Sequence, residues 1–540
     1  LREWLSYIAS DQLQGRAVFS TGIGLAASYI QGHLMAWGVK PGGDHGSYLQ
    51  TVRILGVKRA SRSTVTVEVG GETRTFADGD AIRFASNAGA KQRLVLDRVE
   101  FAGYGLDVPA ARREDYRGKD VSGAAVVWLG SSGPDGLDPA AYRLLLTGRH
   151  RYAVEQMRAA ASIGVVPPGS AYDAQEADEP GGAGRVARPA ESGARGRGRG
   201  PLPVPDFTTS ERLDRAIAPT VTATDSFFQF LFARAPVKYE ELKRRADARE
   251  PLPSFRLDGV RITFNVDTDY EVVRTQLAYN IVGIVEGSDP ELRNAFVAFG
   301  AHYDHVGYAE GELVSGSNPP RRTAAPGRIT RGAEEDRIWN GADDDGSGTV
   351  TLMALARAFA TGPAPKRSLI FVWHTGEERG RWGSLYFADH PAAALDRFVA
   401  QLNIDMVGRN REDKASESNT LYLVGSDRIS SELDAVSRAA NNSLPRPLRL
   451  DFELNDPSDP EQLYHRSDHY SYASRGVPVI FFTTGLHSDY HANTDEVSRI
   501  DFDKMTRIAQ YVYEVGARVA NLDHALARDN KGPRAGKGAR

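Results

Sequence analysis

Cysteine is missing from all 540 residues, which excludes disulfides, thiolate metal ligands and a cysteine nucleophile. Any metal must therefore be held by His, Asp and Glu. No apolar run reaches the about 18 residues that a helix needs to span a bilayer, so no membrane span is expected. A formal net charge of -4 lacks the basic bias that nucleic-acid binding normally carries, so no nucleic-acid partner is expected either. The sequence also lacks an initiating Met, opening at Leu1; a removed signal peptide and a secreted or periplasmic location are the expectation.

What is present is ordinary for a globular protein, with 41% hydrophobic and 25% charged residues. The length exceeds what one hydrophobic core usually supports, so two or more units are expected. Near the start Ala26, Tyr29, Ile30, His33, Leu34 and Trp37 recur at helical spacing, and Gly38 with Pro41 supplies a stop. Alternating stretches at 64–69, 93–96 and 124–129 predict a strand-rich middle region. From about Tyr279 apolar strands alternate with helices, as in an α/β sheet. Phe296 to Phe299, Leu369 to Trp373, Phe398 to Ile404 and Val477 to Phe482 read as buried strands, and Leu352, Leu355, Ala356 and Phe359 as one helical face.

Two stretches interrupt this pattern. From about Ala174 to Pro205 the composition turns to Gly, Ala, Pro, Arg and Glu, with RGRGRG at Arg195 to Gly200, too poor in large apolar residues to pack a core. It reads as a mobile loop, since a single short RGRGRG is a weak signal for RNA. Asn318 to Glu335 reads as a second flexible stretch, placed to rim a site.

Five motifs of the second half carry metal-capable side chains: HYDH (His302 to His305), NGADDDGSG (Asn340 to Gly348), GEE (Gly376 to Glu378), NIDMVG (Asn403 to Gly408) and SDYHANTDE (Ser488 to Glu496). His302, Asp344, Glu378, Asp405 and His491 form a set of two imidazoles and three carboxylates that suits a pair of zinc ions, with one carboxylate bridging. Most of them follow a strand or precede a helix, where open α/β sheets place ligand sites. Asp304 is spaced to accept a hydrogen bond from His302, and Asp495 is a candidate partner for His491. Asp343 to Asp345 read equally well as a cap and favourable charge at a helix start; a bound dication would relieve their mutual repulsion. Of Glu377 and Glu378, one can bind metal while the other takes a proton from water. Asp405 ends an apolar strand, and a buried carboxylate needs a cation or hydrogen bonds. His374, His390, His465 and His487 show no consistent partner pattern and read as polar or packing histidines.

In these motifs and their order the chain resembles the di-zinc aminopeptidase family, exopeptidases related to glutamate carboxypeptidases and glutaminyl cyclases. SDH (Ser467 to His469), GVP (Gly476 to Pro478), IASDQLQGR (Ile8 to Arg16) and YIQGHLMAWGVKP (Tyr29 to Pro41) extend the likeness. EFAGYGL (Glu100 to Leu106) and DYRGKDVSGAAVVWL (Asp115 to Leu129) are similar to the protease-associated domain often inserted in such peptidases. The resemblance implies an α/β fold, a mixed and largely parallel sheet flanked by helices, with a β-rich insertion. It divides the chain into 1–60 and 251–525 for the peptidase domain, 61–250 for the insertion, and a flexible basic tail at 526–540.

It further implies two zinc ions per chain, one on His302 and Asp405, the other on Glu378 and His491, with Asp344 bridging. Glu377 becomes the general base toward a metal-activated water, Tyr490 the donor to the developing oxyanion, and Asp468 a substrate-pocket residue. Asp345 is expected to follow Asp344 across a cis peptide bond. The implied activity is aminopeptidase action on peptides; a carboxypeptidase or dipeptidase is the alternative on the same centre. A receptor-like protein without activity, or a glutaminyl cyclase, is the reading in which ligands are lost or the insertion is absent.

Overall fold

Strands buried on both faces carry apolar side chains at successive positions instead of alternate ones, and four segments of the second half do so. The computed structural model describes residues 1–111, 113–165 and 203–530. Among them these segments join one mixed ten-stranded sheet. In chain order its strands are β1 (Leu49–Ser61), β2 (Phe207–Thr209), β3 (Thr268–Val285), β4 (Phe296–His302), β5 (Ser368–His374), β6 (Phe398–Ile404), β7 (Thr420–Val424), β8 (Arg449–Asp451) and β9 (Val479–Thr483), with Lys40–Pro41 paired to β3. Their spatial order is β2-β1-β3-β5-β4-β6-β9-β7-β8. The centre, β5-β4-β6-β9, is parallel, and antiparallel pairs flank it.

Four helices position the site: α1 (Thr21–Ala36), α2 (Gly348–Thr361), α3 (Trp382–Asp389) and α4 (Phe502–Asn521). Val297, Phe299, Phe371, Trp373, Leu402 and Ile404 point to a core shared with α1, α2 and α4. The residues between them, among them Ala298, Ile370 and Val372, meet Phe387 of α3 and Tyr472 on the other face. The period of two along a strand thus splits one apolar run between two cores. α1 starts where the Ser20 side chain accepts the Ile23 N–H, and the chain turns after it through Gly38 at φ +72.

Residues 62–267 leave the main sheet after β1 and, β2 apart, rejoin it at β3. Their strands form a six-stranded, a four-stranded and a small two-stranded sheet among the described residues. Val65, Phe101, Ile163, Phe227 and Phe264 belong to a core of its own between the two larger sheets. The expected boundary at 250 falls short. Ser254–Arg256 pairs with Val99–Ala102, and Val260–Val266 pairs with both Thr64–Val69 and Gln92–Leu96. The chain changes sheet only between Val266 and Thr268, an exchange of hydrogen-bond partners that no shift of composition marks.

The RGRGRG motif and most of the loop expected near 174–205 lie outside the described residues, as does the tail beyond 530. Within the described part of that tail Leu526 is buried and Asn530 donates to the Ile429 carbonyl. Among the described residues no helix is long and apolar enough to cross a membrane. Residues 318–335, expected to be flexible, are fastened to the site. Arg328 N donates to His491 O at 2.7 Å, its Nη2 donates to Ser488 O at 2.5 Å and Tyr490 O at 2.8 Å, and Trp339 Nε1 donates to Arg328 O at 3.0 Å.

Candidate metal centre

The parallel strands end in register. His302 lies opposite His374 and Gly300 opposite Asn403, so His302, the turn bearing Glu377 and Glu378, and Asp405 emerge along one edge. This is the carboxyl end of an open parallel sheet, where ligands bind. Asp343 to Asp345 arrive from the turn leading into α2, and Tyr490 and His491 from the segment after β9. His491 and Met406 hold left-handed φ values of +51 and +57, a conformation that costs a non-glycine residue about 1 kcal/mol or more.

The bridging geometry falls to Asp344. Its Oδ1 lies 3.3 Å from His302 Nε2 and its Oδ2 lies 3.1 Å from His491 Nε2. His302 Nε2 is also 3.8 Å from Asp405 Oδ2 and 4.0 Å from Glu377 Oε2. Glu378 sits between two imidazoles, with Oε2 2.9 Å from His491 Nε2 and Oε1 2.8 Å from His305 Nδ1.

His302 Nδ1 donates to the Asp304 main-chain carbonyl at 3.0 Å. That bond leaves Nε2 as the ring atom that faces the oxygens of Asp344 and Asp405. Buried Asp344 Oδ2 makes no hydrogen bond. Such a donor set fits a divalent cation. Two groups of three can hold one, His302 with Asp344 and Asp405, and His305 with Asp344 and Glu378. His491 is nearer to Asp344 than His305 is, at 3.1 Å against 3.9 Å, and both lie within 2.9 Å of Glu378; His305, the last residue of the HYDH motif, gains this partner only through the fold.

Charge follows from this packing. Burial acts to raise the Asp344 carboxyl, but His302 and His491 outweigh it and hold it well below the usual range. Burial raises Asp405 to about 7, opposed by His302. Burial also dominates at Glu377, opposed by His302 and reinforced by Glu378, and holds it well above the usual range. Burial pushes the Tyr490 phenol up against the pull of His491 and Arg466, so it keeps its proton.

The supporting carboxylates differ from expectation in their partners. Asp304 uses its carbonyl, not its carboxylate, for His302; Oδ1 instead accepts the Glu377 N–H at 3.1 Å. Asp495 does not bond the His491 ring. It accepts the N–H groups of Asp343 and Asp344 at 3.0 Å. Asp345 follows a cis peptide bond. Asp468, expected in the substrate pocket, is instead fully buried 3.4 Å from His374 Nδ1 and does not line the cleft. Its neighbour Ser467 donates to Asp405 Oδ2 at 2.6 Å. His487, read as an ordinary histidine, stands 3.2 Å from Asp343 Oδ2, and His465 lines the cleft.

That cleft opens onto Glu377, Asp344 and Asp405. Met406, Leu463, Phe481 and Leu486 give it an apolar wall, while Arg381, Arg466 and Tyr490 stand on the polar side. From the inserted unit, the Glu155 carboxylate accepts the Tyr470 hydroxyl, and Arg381 lies 5.4 Å over the Tyr470 ring.

Residues 280–516 match the model of peptidase family M28. The matched segment is less than half of the 540-residue chain. It contains the motifs from His302 to His491 and leaves the inserted unit outside. Among curated relatives, a probable leucine aminopeptidase 2 of Aspergillus oryzae is 25% identical over 268 residues, 49% of this chain and 44% of that protein. A probable zinc metalloprotease of Pyricularia oryzae is 29% identical over 208 residues, 35% of this chain and 41% of that protein. The chain thus spans about half the length of the curated relatives it matches. A solved zinc aminopeptidase from Bacillus subtilis aligns over 98% of both chains at 15% identity with a TM-score of 0.42.

Proposed function

We propose that the chain is a zinc-dependent exopeptidase, an aminopeptidase that removes N-terminal residues from peptides. The observation that carries this reading is Asp344, whose two oxygens face His302 and His491 separately, as a carboxylate bridging two ions would. Asp405 completes one set of donors and Glu378 the other. Bound there, two zinc ions would supply polarisation of the scissile carbonyl and a lowered pKa for the attacking water.

The chain's own residues do the rest. Glu377 reaches the cleft with its side chain 18% exposed, takes a proton from the water and passes it to the leaving amine. Tyr490 donates its hydroxyl to the oxygen on which charge develops. The wall of Met406, Leu463, Phe481 and Leu486 receives an apolar side chain. The inserted unit, which the sequence likens to a protease-associated domain, meets the catalytic unit at Tyr470, whose ring lies under the cleft residue Arg381.

The test is metal content together with Glu377→Ala, assayed on leucine p-nitroanilide. About two zinc per chain, kept in a variant that has lost activity, is the expected result; a zinc-loaded wild type inert on a broad peptide panel sinks the reading. Arg381 on the polar side favours a second reading, a dipeptidase or carboxypeptidase that grips a substrate carboxylate. Blocking the substrate's amine abolishes turnover under the first reading, and amidating its carboxylate does so under the second.

A further inference from the structure

Arg466 belongs to none of the metal motifs, yet it enters the cleft with a side chain only 15% exposed. Its Nη2 donates to the Tyr490 hydroxyl oxygen at 3.0 Å. From the other side Glu461 holds it, Nη1 to Oε2 at 2.9 Å and to the Glu461 carbonyl at 3.4 Å. A guanidinium has donors and no acceptor. The phenol oxygen must therefore accept this bond, and its own proton has to point elsewhere.

The ring bearing that hydroxyl is already fixed. It stacks on His491 with centroids 4.0 Å apart and planes at 24°. Its main chain donates to His487 O at 3.2 Å and accepts from Arg328 Nη2 at 2.8 Å. The remaining freedom is rotation of the O–H about the C–O bond. A donor parked on one side of the oxygen removes the orientations in which the phenol proton points at Arg466.

We propose that Arg466 is a positioning residue for Tyr490: it occupies the acceptor side of the phenol oxygen and so commits the phenol proton to a substrate oxygen in the cleft. The inference rests on the exopeptidase reading, in which that proton meets the developing oxyanion. Glu461 anchors the guanidinium, and the adjoining Ser467 ties the same stretch of chain to Asp405.

A double-mutant cycle on leucine p-nitroanilide, a substrate with no carboxylate, tests it. Arg466→Gln is expected to lower kcat about as much as Tyr490→Phe does, roughly tenfold or more, with KM nearly unchanged, and the double variant to be no slower than Tyr490→Phe alone. Arg466→Lys, which keeps a donor, recovers part of the loss. Independent, multiplying losses overturn the proposal, as does a rise in KM alone, which would make Arg466 a substrate-binding group. Tyrosine labelled at the ring Cζ carbon gives a second readout without turnover. The Tyr490 resonance, assigned by its absence in Tyr490→Phe, shifts in folded Arg466→Gln if the contact sets the hydroxyl. An unchanged resonance overturns the proposal, whereas an inert wild type with a shifted resonance removes the exopeptidase reading and leaves the contact standing.

Discussion

The Asp345 carboxylate accepts the main-chain N–H of His302 at 3.1 Å through Oδ2. Through Oδ1 it accepts those of Gly348 at 2.9 Å and Met406 at 3.2 Å. One buried side chain thereby joins β4, the start of α2 and the residue after Asp405. Asp345→Ala leaves three buried donors unpaired, at roughly 1–3 kcal/mol each, and is expected to lower stability by roughly 3 kcal/mol or more. Asp345→Asn keeps one acceptor and costs less. Urea unfolding checks both, and a wild-type midpoint in Asp345→Ala contradicts the hub.

Arg16 does the same from the N-terminal segment. Fully buried, it donates to Ile8 O at 2.7 Å, Tyr303 O at 3.0 Å, Asn340 O at 2.7 Å and Gly341 O at 2.9 Å. The preceding Gly15, at φ +67, lies so close to Gly307 that a Cβ would stand 2.3 Å from its carbonyl oxygen. Arg16→Lys cannot span these acceptors, and a loss of roughly 2 kcal/mol or more is expected from the unpaired carbonyls. Zinc uptake should fall with it, because Tyr303 and Gly341 lie within two of the ligand motifs. Titration with zinc beside urea unfolding measures both effects.

Zinc itself should stabilise the fold. An ion that binds only the folded chain adds about 2.7 kcal/mol at a hundred times its Kd, so the thermal midpoint should rise with zinc and fall back with a chelator. Asp344→Asn is expected to lose most of the shift. A midpoint indifferent to zinc in the wild type argues against a resident ion.

Two buried histidines set an acid limit. Burial lowers His150 to about 3, with Arg149 adding to it, and burial lowers His469 to about 3 as well. His150 Nδ1 bonds Ser162 Oγ at 2.8 Å beside Trp128, and His469 stacks on Phe481. Below about 6.5 the unfolded chain binds protons that the folded chain refuses, so stability is complete above that pH and is lost as pH falls from about 6.5 toward 3. Each histidine contributes a slope of about 1.4 kcal/mol per pH unit in that window. Urea midpoints at pH 7.5 and 5 should differ less in His150→Gln than in wild type; an equal difference removes His150 from the account.

Much of the site was legible because its chemistry is local. HYDH, NGADDDGSG, GEE and NIDMVG each place a metal-capable side chain next to a strand end or helix start, and the apolar runs before them are pure enough to mark buried strands. Asp468 was assigned to the pocket from the resemblance alone, and a motif says nothing about which way a side chain faces; the carboxylate turns inward to His374. The end of the insertion was misplaced because Val260 to Val266 alternates buried and less buried positions as β1 of the main sheet does, and only pairing tells the two sheets apart.

The sequence by itself determined the kinds of donor, the absence of sulfur ligands and the order in which the motifs meet the sheet, since these follow from residue type and period. Tertiary structure alone decided which carboxylate serves which histidine. It gave Asp495 to the main chain of Asp343 and Asp344, His305 to Glu378, Arg466 to Tyr490 and residues 318–335 to the His491 segment. Those pairings join residues up to 165 positions apart, as between Arg328 and Asn493, whose N–H donates to the Arg328 carbonyl at 3.2 Å. Hydrogen bonds depend on distances of a few tenths of an ångström, and these are fixed only when the sheet register brings the strand ends together.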